Sequence, residues 1–135
     1  MKQKVLKALS EDMAEKILVT KNGVEYFSSP FQHIIIDRFF PDEFAKRLSL
    51  SFDQIKKEEW QYTSDEGIEV KYRTDWKSEF DIPDSISPAI RILNSAPILL
   101  AMGERLQIPK LMPDPYFTGG GLNMTKSGGL LDVHV

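Results

Sequence analysis

Apolar side chains recur at helical spacing in the first part of the chain. One stripe repeats every four residues, with two further apolar residues beside it: Val5, Leu9, Met13 and Ile17, flanked by Leu6 and Leu18. This spacing predicts an amphipathic helix, and Asn22-Gly23 is a typical helix stop. A second helix is predicted to start at Pro41, with one apolar face formed by Phe44, Leu48, Phe52 and Ile55.

Strand patterns surround these helices. A short strand is predicted around Val24–Phe27, and the β-branched run in FQHIIIDRFF is typical of a buried strand. The segment EWQYTSDEGIEVKYRTDW predicts a hairpin, because Asp65-Glu66-Gly67 can turn and apolar residues alternate on the returning strand. Short helices are predicted to open at Ser87-Pro88 and at Ser95-Ala96-Pro97.

Strand patterns also fill the last part of the chain. Prolines 109, 113 and 115 form a stiff connection, after which YFTGGGLNMTK and LLDVHV are predicted as two strands joined through Ser127-Gly128-Gly129. Helices therefore dominate the first part and strands accumulate at the end. This order indicates an α+β fold.

Composition narrows the class of protein. The chain has 135 residues, 41% of them hydrophobic, which suits one domain or a large part of one. It has no cysteine, so any metal must be held by histidine and carboxylates. The net charge of −3, with no basic block, argues against a nucleic-acid partner. No stretch resembles a membrane span or signal peptide, so we expect a cytoplasmic protein without a membrane partner.

One histidine near the end is a candidate metal ligand. In LLDVHV, alternation places Leu130, Asp132 and His134 on one strand face. A site with two histidines and one carboxylate holds iron and leaves coordination positions open. Spacing alone also allows an ordinary hydrogen-bonded histidine at 134, and His33 is expected to be structural.

Other catalytic motifs have little support. The glycines at 119–121 and 128–129 do not have dinucleotide or P-loop spacing, and they suit tight turns or bulges at which the backbone closely approaches a ligand. No serine lies in a GxSxG turn, which argues against a serine hydrolase.

Two stretches carry a resemblance to a known family. HIIIDRFFPDEFAKRLSLSF resembles the opening of prolyl-4-hydroxylase-like 2-oxoglutarate/Fe(II) oxygenases. The stretch GERLQIPKLMPDPYFTGGGLNMTKSGGLLDVHV is more specific, because it is similar to members with a Pro-Asp-Pro connection, a Gly-Gly-Gly-Leu strand, a Gly-Gly turn and a His-x-Asp iron motif. The resemblance covers most of residues 31–135.

The resemblance implies an incomplete enzyme. His134 would be the iron ligand and Val135 the intervening residue, while the Asp, a distal His and the basic residue that pairs with 2-oxoglutarate would lie beyond the chain. The expected domain is single and incomplete: residues 1–110 give mainly helical support with a hairpin. Residues 116–135 give the first core strands of a double-stranded β-helix (jelly-roll) whose C-terminal part is missing.

The same resemblance implies the cofactors and the reaction. The enzyme would use Fe(II) and 2-oxoglutarate to hydroxylate a prolyl residue or a small molecule. The resemblance also allows ascorbate as an accessory reductant. Many relatives place a 2-oxoglutarate-contacting Tyr where this chain has Met124 and Thr125, so Thr125 and Asn123 are the candidate cofactor-binding residues here. With one iron ligand, the 135 residues alone are expected to be inactive.

Two other functions remain open at this point. The chain could be a non-catalytic interaction module that pairs through its exposed C-terminal strand, and the same unfinished sheet edge would allow a homodimer under either function. A hydrolase with a metal bound by His and Asp is also compatible with the spacing.

Overall fold

A computed structural model of the chain describes residues 1–19, 23–65, 69–118 and 120–132. Its α-helices are α1 (Gln3–Leu18), α2 (Asp42–Asp53), α3 (Ser87–Leu93) and α4 (Ala96–Arg105), and short 3₁₀-helices lie at Lys57–Glu59 and Glu79–Asp81. Its strands are β1 (Val24–Phe27), β2 (His33–Ile36), β3 (Gln61–Asp65), β4 (Glu69–Arg73) and β5 (Asn123–Met124). The α+β prediction is confirmed. Neither antiparallel sheet in the described part closes on itself, and the jelly-roll stays a prediction.

The chain divides into two compact units. The helical unit comprises Met1–Asp53 and Asp84–Pro113, and the sheet unit comprises Gln54–Pro83 and Asp114–Val135. The predicted hairpin therefore groups with the C-terminal segment rather than with the helices that precede it. The single-domain description stays a prediction. Within the described residues, no helix is long and apolar enough to cross a membrane.

A closed apolar core holds the helical unit together. Helix α1 packs against α3 and α4, and the core cluster contains Leu6, Met13, Ala14, Ile17, Phe44, Ala89, Ile92, Ile98 and Ala101. Met13, Ile17 and Ile92 are each 0% exposed. Burying an aliphatic side chain of this size contributes about 1.5–3 kcal/mol relative to leaving it in water, so the cluster is the main source of stability in this unit.

The buried face of α1 is rotated relative to its predicted stripe. Val5 is 46% exposed, whereas Ser10 is 4% exposed and its hydroxyl donates to the Leu6 carbonyl at 2.8 Å. Ser10 and Ala14 are small, so the neighbouring helices can approach α1 closely along this face. The apolar pattern missed Ser10 because a serine that bonds to its own helix can be buried without a further partner.

The strand within FQHIIIDRFF is only half-buried, which corrects the prediction of a buried strand. Within the described residues strand β2 pairs only with β1, antiparallel, with Tyr26 opposite Ile34. Ile34 and Ile36 pack against the core, whereas Ile35 points away and is 50% exposed. A two-stranded sheet covered on one side leaves alternate residues in water, and three consecutive isoleucines cannot reveal which side is covered.

Proline starts are confirmed for the later helices. Pro88 and Pro97 lie in the first turns of α3 and α4. Pro41 precedes α2 instead of opening it, because its carbonyl accepts the amide protons of Phe44 and Ala45 at 2.9 Å each. The predicted face of α2 buries Phe44 and partly covers Leu48, while Ile55 lies after the helix end.

The sheet unit is a three-stranded antiparallel sheet with β4 in the middle. Tyr62 of β3 lies opposite Tyr72 of β4, which confirms the hairpin; its tip, residues 66–68, lies outside the described residues. On the other side of β4, Tyr72 pairs with Met124 of β5. This pairing places Asn123 and Met124, which precede His134 in the chain, next to β4.

The predicted turn at Ser127-Gly128-Gly129 does not form a hairpin. The Gly129 amide donates to the Lys126 carbonyl at 2.8 Å, and the chain then returns to the strand it left. Leu131 bridges Glu69 of β4 in the antiparallel sense, as β5 does further along the same strand. Residues 126–129 therefore form a loop within one edge segment that pairs with β4 before and after the loop. The local sequence does not distinguish such a loop from a hairpin turn that reverses the chain.

Candidate functional site

Two of the three predicted site residues, Asn123 and Thr125, lie on one segment of the sheet unit. His134 lies outside the described residues, so its iron-ligand role stays a prediction. Asn123 lies in β5 and Thr125 follows it; both are exposed, while Met124 between them is partly covered. The alternation expected for a strand is present, and the two candidate 2-oxoglutarate contacts share one face. Their binding role stays a prediction.

Thr74 holds this segment in register. The residue follows β4 and is 1% exposed. Its amide donates to the Leu122 carbonyl at 3.0 Å, and its Oγ1 accepts the Leu122 amide proton at 2.9 Å. Because both bonds fix Leu122, Asn123 next to it is placed opposite Arg73. A threonine in a charged stretch gives no sequence signal of this role.

Two glycines make the close approach to β4 possible. Gly121 has a φ of +143°, and a Cβ there would lie 2.8 Å from the Thr74 carbonyl oxygen. At Gly129 a Cβ would lie 2.7 Å from the Val70 carbonyl oxygen. Tight turns and close backbone approach were expected for these glycines. The backbone they approach is that of the chain itself, and Gly119 lies outside the described residues.

Asp114 organises the loop that leads into β5. Its carboxylate accepts the amide protons of Tyr116 at 2.9 Å and Thr118 at 2.7 Å. These two backbone hydrogen bonds, that of Tyr116 first, lower the pKa of the Asp114 carboxyl below its ordinary value. The loop is therefore tied to an ionised carboxylate. An Asp whose carboxylate accepts the amide proton two residues later is a turn signal. Here the prolines on both sides of Asp114 indicated only a stiff connection, so the sequence did not predict this turn.

Aromatic side chains complete the sheet unit. Trp76 is 4% exposed, and its ring meets Phe117 edge-to-face with centroids 6.4 Å apart. The Lys126 ammonium lies 4.3 Å from the centroid of Tyr72, which attaches the 126–129 turn to β4 by a cation–π contact. These contacts position the segment that carries the candidate residues, and neither was found from sequence.

His33 makes local contacts of the structural kind expected for it. Its Nδ1 lies 2.9 Å from the Phe31 carbonyl oxygen. The imidazole also stacks on Phe27 with centroids 4.8 Å apart and an interplanar angle of 11°. These contacts stabilise the end of the β1–β2 hairpin.

The described residues do not form a metal centre. Among them, no group of three histidine, cysteine, aspartate or glutamate side chains could hold an ion. Comparison with known proteins adds no constraint: no family model, curated protein or solved structure matches the chain. What the segment offers is a fixed strand edge that presents Asn123 and Thr125 on one face.

Proposed function

We propose that this chain is the N-terminal part of a non-haem Fe(II)/2-oxoglutarate-dependent dioxygenase that hydroxylates a prolyl residue or a small molecule. The observation that carries the proposal is the block GGGLNMTKSGGLLDVHV, which has the order of glycine strand, glycine turn and iron histidine found in that superfamily. Under this proposal His134 binds iron, and the other ligands come from residues outside these 135.

One feature of the sheet unit supports this proposal. An oxygenase barrel needs an antiparallel strand that leads to its first iron ligand, and the segment from Asn123 to Leu131 follows β4 in the antiparallel sense. Asn123 and Thr125 share one face of that segment, as two residues contacting a common co-substrate would. The described residues alone do not fit an iron ion.

The direct test uses the complete reading frame that contains this sequence. We expect the codon after that of Val135 to encode the Asp of the His-x-Asp motif. We also expect the complete protein to form succinate from 2-oxoglutarate when Fe(II) and substrate are supplied. His134→Ala should abolish succinate formation because it removes an iron ligand. The matched control is His33→Ala, which alters the only other histidine of these 135 residues and should leave turnover in place.

Two results would contradict the proposal. One is that the His134→Ala variant forms succinate as fast as the His33→Ala variant does. The other is succinate formation by the purified 135-residue chain, because one histidine ligand is too few for the reaction. A reaction that proceeds with Zn(II) and without 2-oxoglutarate would favour a metal-dependent hydrolase instead.

A second candidate, a non-catalytic interaction module, is favoured by the outer edge of the sheet. Strand β5 is the terminal strand of the sheet in the described part of the chain. Leu130 and Leu131 beyond it are 45% and 60% exposed. An exposed edge with apolar side chains pairs readily with another chain, including a second copy. Sedimentation of a clean monomer at high concentration would count against this candidate.

A further inference from the structure

A cavity in the helical unit has the chemistry of an anion site. It lies where the first turns of α1 meet the end of α3 and the start of α4, with a volume of about 350 Å³. The residues that line it are Gln3, Lys4, Leu6, Lys7, Ser10, Arg91, Ser95 and Pro97. A volume of a few hundred Å³ is within the range of small-molecule sites.

All charged residues that line the cavity are basic. Lys4, Lys7 and Arg91 contribute three cationic groups from two helices, and no acidic side chain is part of the lining. Lys7 also lies 3.7 Å from Glu11, but both side chains are more than half exposed, and a pair of this kind holds its charges weakly.

Ser95 adds a buried hydroxyl to this wall. It is the residue that precedes α4, with an extended backbone, yet its side chain does not cap the helix. Its Oγ is buried and has no hydrogen-bond partner among the described residues. A buried hydroxyl without a partner is costly, and proteins almost always satisfy such groups. Ser10, by contrast, donates its proton to Leu6 within α1.

The start of α4 supplies further donors. The first amide groups of a helix have no partner within the helix, and they give its N-terminus a partial positive charge. Pro97 has no N–H, so the free first-turn donors of α4 are the amides of Ala96 and Ile98. Ala96 and Ile98 do not line the cavity themselves, but they flank Pro97, which does, so the partial charge of this helix start acts in the same sense as the basic residues of the lining.

We propose that this cavity binds the oxyanion group, carboxylate or phosphoryl, of a small organic ligand. Arg91, Lys4 and Lys7 neutralise the anion, Ser95 donates its hydroxyl proton, and Leu6 and Pro97 contact the apolar part of the ligand. The site shares no residue with Asn123, Thr125 and His134. It therefore stands or fails independently of the proposed oxygenase.

The test is a titration of the purified chain with inorganic phosphate and, separately, with acetate, followed by the amide resonances of Ala96 and Ile98. We expect saturable shifts with at least one of the two anions, and the anion that saturates identifies the group as phosphoryl or carboxylate. Arg91→Gln should weaken that binding about tenfold, because it removes a charge-assisted hydrogen bond. Ser95→Ala should also weaken it, with an unchanged spectrum elsewhere.

The matched control is Arg47→Gln, on the exposed surface of α2 in the same unit, which should bind as tightly as the natural chain. Sodium chloride at equal ionic strength provides a second control. The proposal is overturned if chloride produces the same shifts, if Arg47→Gln weakens binding as much as Arg91→Gln, or if neither phosphate nor acetate saturates.

Discussion

The two units of this chain are stabilised in different ways. In the described part of the helical unit ten hydrophobic residues are buried, and three of them, Met13, Ile17 and Ile92, are 0% exposed. In the described part of the sheet unit only Trp76 and Ile82 are buried hydrophobics, and the most deeply buried residue is Thr74. Side-chain packing therefore dominates the first unit, whereas backbone hydrogen bonds and close backbone approach dominate the second.

This difference bears on the location of the candidate co-substrate residues Asn123 and Thr125. A packed helical core tolerates few changes of shape, because a missing methylene leaves a cavity. A strand edge fixed by Thr74, Gly121 and Gly129 keeps its outward side chains exposed, as Asn123 and Thr125 are. The sheet unit can thus present polar side chains at defined positions while the helical unit supplies stability.

The largest effect is expected from the helical core. Ile92→Ala removes a fully buried side chain and should lower the free energy of unfolding by about 2–5 kcal/mol, because the surrounding helices cannot fill the space. Far-ultraviolet circular dichroism mainly measures this unit, since all four α-helices of the described chain lie in it. The control Leu100→Ala alters a side chain that is 74% exposed and should cost about 0.5 kcal/mol or less. Equal losses for the two variants would contradict the comparison.

A smaller effect is expected at the strand edge. Gly121→Ala combines a positive φ with a collision against the Thr74 carbonyl, and should cost the sheet unit about 1–3 kcal/mol. Tryptophan fluorescence measures this unit, because Trp60 and Trp76 are the only tryptophans and both belong to it. Gly128→Ala is the matched control: its φ is +83° but a Cβ there meets nothing within 4 Å. A loss at Gly128 as large as that at Gly121 would mean that the close approach to β4 contributes nothing.

The smallest effect is expected on the stability of the sheet unit at low pH. The pKa of Asp114 is lowered from its ordinary 3.8 by the amides of Tyr116 and Thr118, so the folded state favours the carboxylate. The resulting stabilisation is present above pH 3.8 and is lost as the pH falls through the lower pKa of the folded state. The amide resonances of Tyr116 and Thr118 should follow this titration. In Asp114→Asn the sheet unit should lose part of its acid sensitivity; an unchanged fluorescence profile would argue against the loop anchor.

Much of the local structure could be predicted from the sequence. The helix starts at Pro88 and Pro97 follow from the fixed φ of proline, and the strand at Val24–Phe27 and the hairpin follow from alternation. The stripe on α1 was displaced because Ser10 is buried and Val5 is not, a choice made by the helices that pack there. The exposure of Ile35 was missed for the same reason.

The candidate site also depends partly on local sequence patterns and partly on tertiary packing. The sequence by itself determined which residues can carry chemistry, the alternation that gives Asn123 and Thr125 a common face, and the absence of any thiolate ligand. Only the tertiary structure decided that the glycine turn returns to β4, that Thr74 fixes the register and that Lys4, Lys7 and Arg91 line one cavity. Periodicity and turn chemistry act between neighbours in the chain. Pairings such as that of Thr74 with Leu122 join residues far apart in sequence, and only packing selects them.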